Sequence, residues 1–264
     1  MRSAAFSIAE RISLAEDALA EAGGEVVELA EGRVIRNAAF PRVYDANLIR
    51  RPRLELPTLG DALERLAEPL RAVGARHVQL NFDGVPGSDR LAPELRRRGF
   101  HCDRLCAMVL HRLPRLGRAP FSSARAVPNE ASWESFGFVM DRLNQEEPWY
   151  SRAVSREIIL AMRHRQDSGR IQFFVAEEGP HFVGMVGLSR WHGTASVVSL
   201  GTLPAWRRRG IGAALIFETV RRAREQGDDL IYLITRANDA PQELYRKLGF
   251  RVAYGFDVWL RLPR

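Results

Sequence analysis

Residues 207–212 read Arg-Arg-Arg-Gly-Ile-Gly, and this hexapeptide is the strongest indication of the fold in the sequence. It follows an apolar, strand-like stretch at residues 197–203 and opens an amphipathic helix near Ala213. Such a turn gathers backbone N–H groups and a helix N-terminus around one small volume, which favours a diphosphate. Gly210 and Gly212 let the backbone approach phosphate oxygens, and the arginines add charged donors. The alternative interpretation is a plain strand-to-helix turn on a basic surface.

A second segment, residues 238–250, follows another apolar run at residues 230–234. It reads Asn-Asp-Ala-Pro-Gln-Glu-Leu-Tyr-Arg-Lys-Leu-Gly-Phe. In this order and spacing, the two segments together resemble the GNAT superfamily of acyl-CoA-dependent N-acetyltransferases. The family's pyrophosphate signature is matched by Arg207, Gly210 and Gly212, and its later signature by Asn238, Leu244, Tyr245, Gly249 and Phe250. The resemblance covers about residues 120–264.

The resemblance implies an α/β protein with a mixed sheet and the acyl-CoA N-acyltransferase (GNAT) fold. It implies that the strand ending at Leu203 splays from the strand at residues 230–234, and that the pantetheine of acetyl-CoA, or of another acyl-CoA, pairs with amides near Leu200 and Thr202. A backbone N–H on the first strand would stabilise the oxyanion. The implied diphosphate site comprises Arg207, Arg208, Arg209, Gly210, Ile211, Gly212 and Ala213, and no metal is implied. Asn238 would bind the pantetheine or cap the following helix.

Tyr245 is the candidate general acid. A phenol with a pKa of about 10 is protonated at neutral pH and can give its proton to the leaving thiolate. The alternative role for Tyr245 is packing of the helix against the sheet. Leu244 and Phe250 are predicted to belong to the core.

The general base is not identified by the sequence. Many members of the family carry a glutamate on the strand before the phosphate loop, but here residues 196–200 read Ser-Val-Val-Ser-Leu. Three candidates remain: a chain of water molecules, His192 in the preceding turn, and a carboxylate from the loop at residues 144–151.

That loop occupies the family's substrate-selecting position. Glu146, Glu147 and Trp149 form a candidate receptor for a cationic amine, through ion pairing and cation–π contact. The alternative is that the two glutamates are solvated and the tryptophan packs inward.

The chain contains a candidate internal repeat. Residues 93–100, Pro-Glu-Leu-Arg-Arg-Arg-Gly-Phe, are similar to residues 242–250, and each segment leads through a strand-like stretch to Leu-Pro-Arg. This predicts tandem GNAT-like domains at residues 1–115 and 120–264. The first copy should be degenerate and should not bind CoA, because residues 46–58 contain no glycine pair and include Pro52 and Pro57.

Hydrophobic periodicity predicts the remaining elements. In the first half it predicts strands at residues 26–29, 33–38 and 77–82, and a helix at 59–73 capped by Thr58 with Asp61. In the second half it predicts helices at 133–143, 152–165, 211–226 and 241–248, and strands at 124–127, 170–178, 182–191, 195–203, 230–234, 250–254 and 256–262.

Composition bounds the class of protein. The 264 residues are 46% hydrophobic and 27% charged, as in soluble globular proteins, and they contain no apolar run long enough to span a membrane. Cys102 and Cys106 are expected to be buried thiols in a cytoplasmic protein. The net charge of +7 comes almost entirely from arginine, since Lys247 is the only lysine.

Three functions are compatible with these patterns. The first is an N-acetyltransferase that transfers an acyl group from acetyl-CoA to a primary amine by direct attack. The second is a non-catalytic acyl-CoA sensor, and the third is an RNA-associated basic protein. The expected partner is an amine substrate of unknown size. Nucleic acid is not required, no membrane partner is expected, and a homodimer is compatible with the sequence.

Overall fold

The computed structural model describes residues 6–85, 88–112, 123–126, 130–146 and 151–263. Its helices are, in chain order, α1 (Ile8–Glu21), α2 (Leu59–Ala72), α3 (Ser88–Arg97), α4 (Glu130–Asn144), α5 (Arg152–Asp167), α6 (Ile211–Glu225) and α7 (Pro241–Lys247). Its strands are β1 (Glu25–Leu29), β2 (Gly32–Arg36), β3 (Leu48–Arg50), β4 (Val78–Asn81), β5 (His101–Leu110), β6 (Ser123–Ala126), β7 (Ile171–Glu178), β8 (His181–Trp191), β9 (Thr194–Thr202), β10 (Leu230–Arg236) and β11 (Phe250–Arg261). Nearly every predicted element is present within a few residues of its expected bounds.

The chain forms two compact units. The first comprises Met1–Cys106 with Tyr254–Arg264, and the second comprises Ala107–Ala253. Strands in the first unit follow the order β1-β2-β3-β4-β11-β5, and those in the second follow β11-β5-β10-β9-β8-β7-β6. The final strands β5 and β11 therefore each contribute to both units, so the units are not the sequence ranges 1–115 and 120–264. Whether those two ranges fold independently stays a prediction.

The two halves repeat one order of elements, which confirms the predicted tandem arrangement. The first half runs β1-β2-β3-α2-β4-α3-β5, and the second runs β7-β8-β9-α6-β10-α7-β11. In each, antiparallel strands lead to a parallel pair that a helix connects: β3 with β4, and β9 with β10. A helical crossover is the usual connection between parallel strands.

Three details differ from the sequence predictions. Strand β3 was not predicted, although it pairs with both β2 and β4. Strand β11 continues through residue 255 where two strands were expected, because pairing with β4 and the bond from Phe82 N–H to Asp257 O (3.0 Å) keep it extended. Thr58 makes no side-chain cap, since a 3₁₀ turn at Leu56–Thr58 leads directly into α2.

Helices α4 and α6 pack on opposite faces of the second unit's sheet. A Cβ at Gly184 would lie 3.2 Å from Leu215 Cδ1 of α6, whereas a Cβ at Gly201 would collide with Leu143 of α4. Aromatic contacts fix α4 on the sheet: the Phe136 and Phe173 rings lie 4.7 Å apart. These two helices therefore define the two sides from which the centre of the sheet can be approached.

The remaining expectations concern cysteine and membranes. Cys106 is buried and Cys102 is half-buried, and neither forms a disulfide bond within the described residues. Burial raises the pKa of Cys102 to about 11, with a further contribution from the charge of Asp257. Among the described helices, none has the length and apolar character needed to span a membrane.

Candidate active site

Strands β9 and β10 are neighbours only over their first residues. Their register runs from the pair Thr194 with Leu230 to the pair Ser196 with Tyr232. Beyond this pair β9 continues to Thr202 and β10 to Arg236, without further pairing between them in the described structure. The strands therefore part after Ser196, as the family resemblance implies, and the edge of β9 that faces β10 is open.

A β-bulge shapes this open part of β9. Met185 pairs with Gly201 and Gly187 pairs with Val198, so two residues of β9 oppose one of β8. Ser199, inside the bulge, has a φ of +52°, which is rare for a residue with a side chain. The bulge lies next to Gly201, and such irregularities often re-aim the backbone beside a functional site.

The loop after β9 presents backbone amides to one small volume. After a 3₁₀ turn at Pro204–Trp206, both Arg208 (φ +63°) and Gly210 (φ +82°) are left-handed. Gly210 is the N-cap of α6 and offers no side-chain cap, so the first amides of the helix remain available to a ligand. Alternation of handedness in such a loop forms a concave group of N–H donors that suits an anion.

The fold does not require a glycine at position 212. Its φ is not in the left-handed region, and a Cβ there would meet ordinary contacts: 3.7 Å to Leu244 Cδ2, 3.8 Å to Thr202 Oγ1 and 4.0 Å to Leu200 Cδ2. Packing therefore does not explain the glycine. The same contacts show that the side chains of Leu200, Thr202 and Leu244 surround the N-terminus of α6, which brings the predicted cofactor-binding segments together.

The three loop arginines have different environments. Arg207 donates through Nε to the Thr202 carbonyl (3.0 Å) and pairs through Nη2 with Glu146 Oε1 (2.6 Å). Arg209 lies over the ring of Trp206, 4.7 Å from its centroid, and Arg208 is exposed. The guanidinium of Arg207 thus connects Glu146, which follows α4, with Thr202 at the end of β9. Arg208 and Arg209 are the loop cations that remain available to a phosphate.

Helix α7 brings the other matched residues to the same region. Asn238 is exposed with a φ of +66°, and the helix N-cap is Ala240, so the capping role considered for Asn238 is wrong. Leu244 is half-buried and lies beside Gly212 at the N-terminus of α6, so it does not belong wholly to the core. Phe250 is fully buried, as expected.

Tyr245 is half-buried on α7, with its ring 6.4 Å from that of Phe250 in an edge-on arrangement. Burial, together with the negative charge of Asp239, raises the pKa of Tyr245 to about 12. Its hydroxyl therefore stays protonated at neutral pH. No hydrogen bond joins this hydroxyl to the described residues, so it can bond to a ligand or to solvent.

The predicted acceptor-side residues are only partly brought together. Glu146 is exposed and pairs with Arg207, while Glu147 and Trp149 lie outside the described residues. His192 is exposed in the turn before β9 and its ring contacts Trp191. It lies eight positions before Leu200 in the chain, roughly 25 Å if that segment is extended. The structure therefore places His192 in an exposed turn at the other end of β9 from Leu200, and its role as a base stays a prediction.

The corresponding region of the first unit is closed. Strands β3 and β4 stay paired to their last residues, Arg50 with Asn81, and Arg51 N–H extends the pairing to Asn81 O (3.0 Å). The buried Arg50 guanidinium bonds Asp17 Oδ1 (2.7 Å) and Asp83 Oδ2 (3.0 Å). Sequence analysis missed this network because its three members are far apart in the chain.

Comparisons with known proteins agree with this geometry. Residues 129–250 match the model of the acetyltransferase (GNAT) family. A search of curated protein sequences gives no significant match.

Solved structures share the fold over nearly the whole chain. A GCN5-related N-acetyltransferase from Kribbella flavida is 18% identical, covering 98% of this chain and 97% of its own, with a TM-score of 0.68. A conserved protein of unknown function from Staphylococcus epidermidis is 15% identical, covering 91% and 95%, with a TM-score of 0.74. A tandem GNAT protein from the clavulanic acid biosynthesis pathway is 14% identical, covering 81% and 74%, with a TM-score of 0.52.

Proposed function

We propose that this chain, whose residues 129–250 match the model of the acetyltransferase (GNAT) family, is an N-acyltransferase that transfers an acyl group, such as acetyl, from acyl-CoA to a primary amine. The observation that carries the proposal is the parting of β9 and β10 after Ser196 opposite the uncapped N-terminus of α6. An open strand edge suits an extended amide-containing arm, and a helix N-terminus suits a diphosphate.

The residues present fit acyl-CoA. Gly212 leaves the space that a Cβ would occupy, beside the amides of Ile211 and Ala213, where a diphosphate gains from the helix dipole. Arg208 and Arg209 add positive charge, and the open edge near Leu200 and Thr202 would hold the pantetheine. When bound, acyl-CoA supplies the thioester that the amine attacks.

Tyr245 would serve as the general acid. Its raised pKa keeps the phenol protonated, and its hydroxyl is uncommitted within the described structure. A proton delivered to the departing thiolate would let the C–S bond break without an unstable anion. No covalent acyl-enzyme is required, because the amine attacks the thioester directly.

The proposal is tested with the full chain, acetyl-CoA and a panel of primary amines. We expect acetyl-CoA to raise the melting temperature and at least one amine to cause release of free thiol with formation of its amide. Binding without thiol release for any amine would favour the non-catalytic acyl-CoA sensor. Absence of both stabilisation and turnover would contradict the proposed function.

A further inference from the structure

The groove between β9 and β10 closes at Ser196. Ser196 and Tyr232 form the last pair of the two strands, and they are only 3% and 1% exposed. Beyond them, residues 198–202 of β9 are all half-buried, so accessibility increases from Ser196 toward the phosphate loop. A substrate that follows the open edge inward therefore ends at Ser196.

The Ser196 hydroxyl is buried and has no hydrogen-bond partner in the described part of the chain. Buried polar groups almost always have a partner, so this hydroxyl is a candidate contact for a ligand.

The register shows which side of the sheet Ser196 faces. Its partner on β8 is Ser189, two residues from Gly187, and a Cβ at Gly187 would lie 2.9 Å from Phe173 Cε1. The Phe173 ring packs against Phe136 of α4. Ser196 therefore faces the α4 side, opposite the α6 side on which the phosphate loop lies.

The charged and titratable groups on elements packed against β9 do not face Ser196. Among the residues whose side chains the structure describes, these are His181 and Arg190 on β8, Tyr232 and Arg236 on β10, Glu134, Asp141 and Arg142 on α4, and Glu218, Arg221, Arg222, Arg224 and Glu225 on α6.

Each has another location or partner. Arg190 lies on the α6 side and pairs with Asp228 (2.5 Å), while Glu134 and Arg236 are exposed. Asp141 accepts the Ser155 hydroxyl (2.8 Å). His181 lies beside Trp206 of the phosphate loop, Arg142 lies over the Phe138 ring, and the charges of α6 are on the opposite face. The register neighbours of Ser196 are Tyr232 on β10 and Ser189 on β8, and neither side chain carries a carboxylate or an ammonium group.

We propose that the acceptor is a weakly basic primary amine that enters as the neutral species, with its nitrogen hydrogen-bonded by the Ser196 hydroxyl. This inference rests on the proposed acyl transfer. A protonated alkylamine would be desolvated beside Ser196 without a counter-charge from the described residues, which is strongly unfavourable. A neutral amine meets a hydroxyl that can accept from its N–H or donate to its lone pair.

The reaction balances without a carboxylate base. The nitrogen lone pair of the neutral amine forms the C–N bond, and the C–S bond breaks with its electron pair on sulfur. The amine nitrogen loses one proton and the sulfur gains one, so the products are an amide and a free thiol.

The class of acceptor follows from the fraction of each amine that is neutral. At pH 7.5 about one in 800 molecules of an amine with a pKa near 10.4 is neutral, against about a third for an amine with a pKa near 7.7 to 8.0.

The first test uses the unmodified protein and a panel of primary amines whose pKa values range from about 5 to about 10.4. We expect kcat/KM at pH 7.5 to be at least about 100-fold higher for the weakly basic members than for unhindered alkylamines. The acid limb of kcat/KM should move with the pKa of each acceptor. An acid limb at one fixed pH for all acceptors, with alkylamines used equally well, would overturn the inference and leave the proposed acyl transfer intact. No thiol release with any amine, together with no stabilisation by acetyl-CoA, would overturn both.

Variants test the role of the hydroxyl. Ser196→Ala should raise the KM for the acceptor about tenfold and leave stabilisation by acetyl-CoA unchanged. Ser189→Ala, an equally conservative change one strand away from the groove, should leave both parameters unchanged. An unchanged acceptor KM in a folded Ser196→Ala protein would remove the hydroxyl from the site.

Glu147→Gln tests the loop carboxylate outside the described residues. If the wild-type pH profile of kcat/KM has an acid limb at one fixed pH and this variant lacks it, Glu147 is a base and the inference is overturned.

Discussion

Arg50 Nη2 lies 3.0 Å from Asp83 Oδ2 at the ends of β3 and β4, at the position where the equivalent strands of the second unit separate. Both side chains are almost completely buried, and Asp17 of α1 bonds the same guanidinium. Burial opposes the charge of Arg50, but Asp17 and Asp83 outweigh it and raise the pKa of Arg50. The first unit thus has an internal ion-pair network where the second has an open groove.

We predict one acyl-CoA site per chain for this reason. Isothermal titration of the full chain with acetyl-CoA should give a stoichiometry of one, since the first unit offers neither a parted strand pair nor a glycine pair after β3. A stoichiometry of two would contradict the closed state of the first unit.

Breaking the Arg50 network should reduce stability without reducing CoA affinity. Arg50→Met leaves Asp17 and Asp83 buried without their cation, and loss of one partner of a buried ion pair typically costs about 3–5 kcal/mol. Arg71→Met is the matched control, because the pair of Arg71 with Glu64 is exposed and should contribute about 0–1 kcal/mol. Urea unfolding measures both values. A loss below 1 kcal/mol in Arg50→Met would show that the network is not important for stability.

Gly212 separates ligand binding from folding. Gly212→Ala adds a Cβ that the free protein accommodates at 3.7 Å or more, so its melting temperature without ligand should not fall. Gly212→Glu adds volume and negative charge where a diphosphate would lie. At an acetyl-CoA concentration of about 100 times Kd the wild-type protein should gain about 2.7 kcal/mol, and the glutamate variant should gain nothing measurable. Equal gains for both proteins would remove the diphosphate from this loop.

Acid should destabilise the protein through His77. This buried histidine bonds the Asn47 carbonyl through Nε2 (2.8 Å), and burial lowers its pKa although Asn47 and Asp45 act in the opposite direction. The folded state therefore holds His77 neutral while the unfolded state becomes protonated near its ordinary pKa of about 6.5. This contribution to stability is fully present above pH 6.5 and is lost as the pH falls toward the lowered folded-state value.

Urea unfolding at several pH values between 7.5 and 5 checks this sign. His77→Gln keeps a donor but cannot titrate, so its free energy of unfolding should fall less over this range than that of the wild type. His101→Gln, at an exposed position, should retain the wild-type dependence on pH. An identical slope in the His77 variant would exclude this histidine as the cause.

The sequence predicts the groove's chemistry better than its geometry. The glycine loop, the tyrosine helix and the order of elements follow from local patterns, because turns, caps and periodicity depend on neighbouring residues. Strand β3 escapes local analysis: it has only three residues, and Arg50 is buried because partners 33 residues away on either side neutralise it. The significance of Ser196 escapes too, since the point at which two strands separate is a property of the assembled sheet. The sequence signals it only through the missing carboxylate.

Tyr245→Phe gives the most direct test of proton transfer. The substitution keeps the ring that packs against Phe250 and deletes only the hydroxyl, so folding and stabilisation by acetyl-CoA should be retained. Loss of a general acid should lower kcat by about 10²- to 10⁴-fold. Since the pKa of Tyr245 is raised to about 12, ionisation of this phenol should cause no alkaline loss of activity up to about pH 10.

Tyr254→Phe is the control. The Tyr254 hydroxyl donates to Asp83 (2.9 Å) in the first unit, so stability should fall in this variant while kcat is retained. If Tyr245→Phe keeps the wild-type kcat with the best acceptor of the panel, Tyr245 has a packing role and the proton reaches the thiolate by another route.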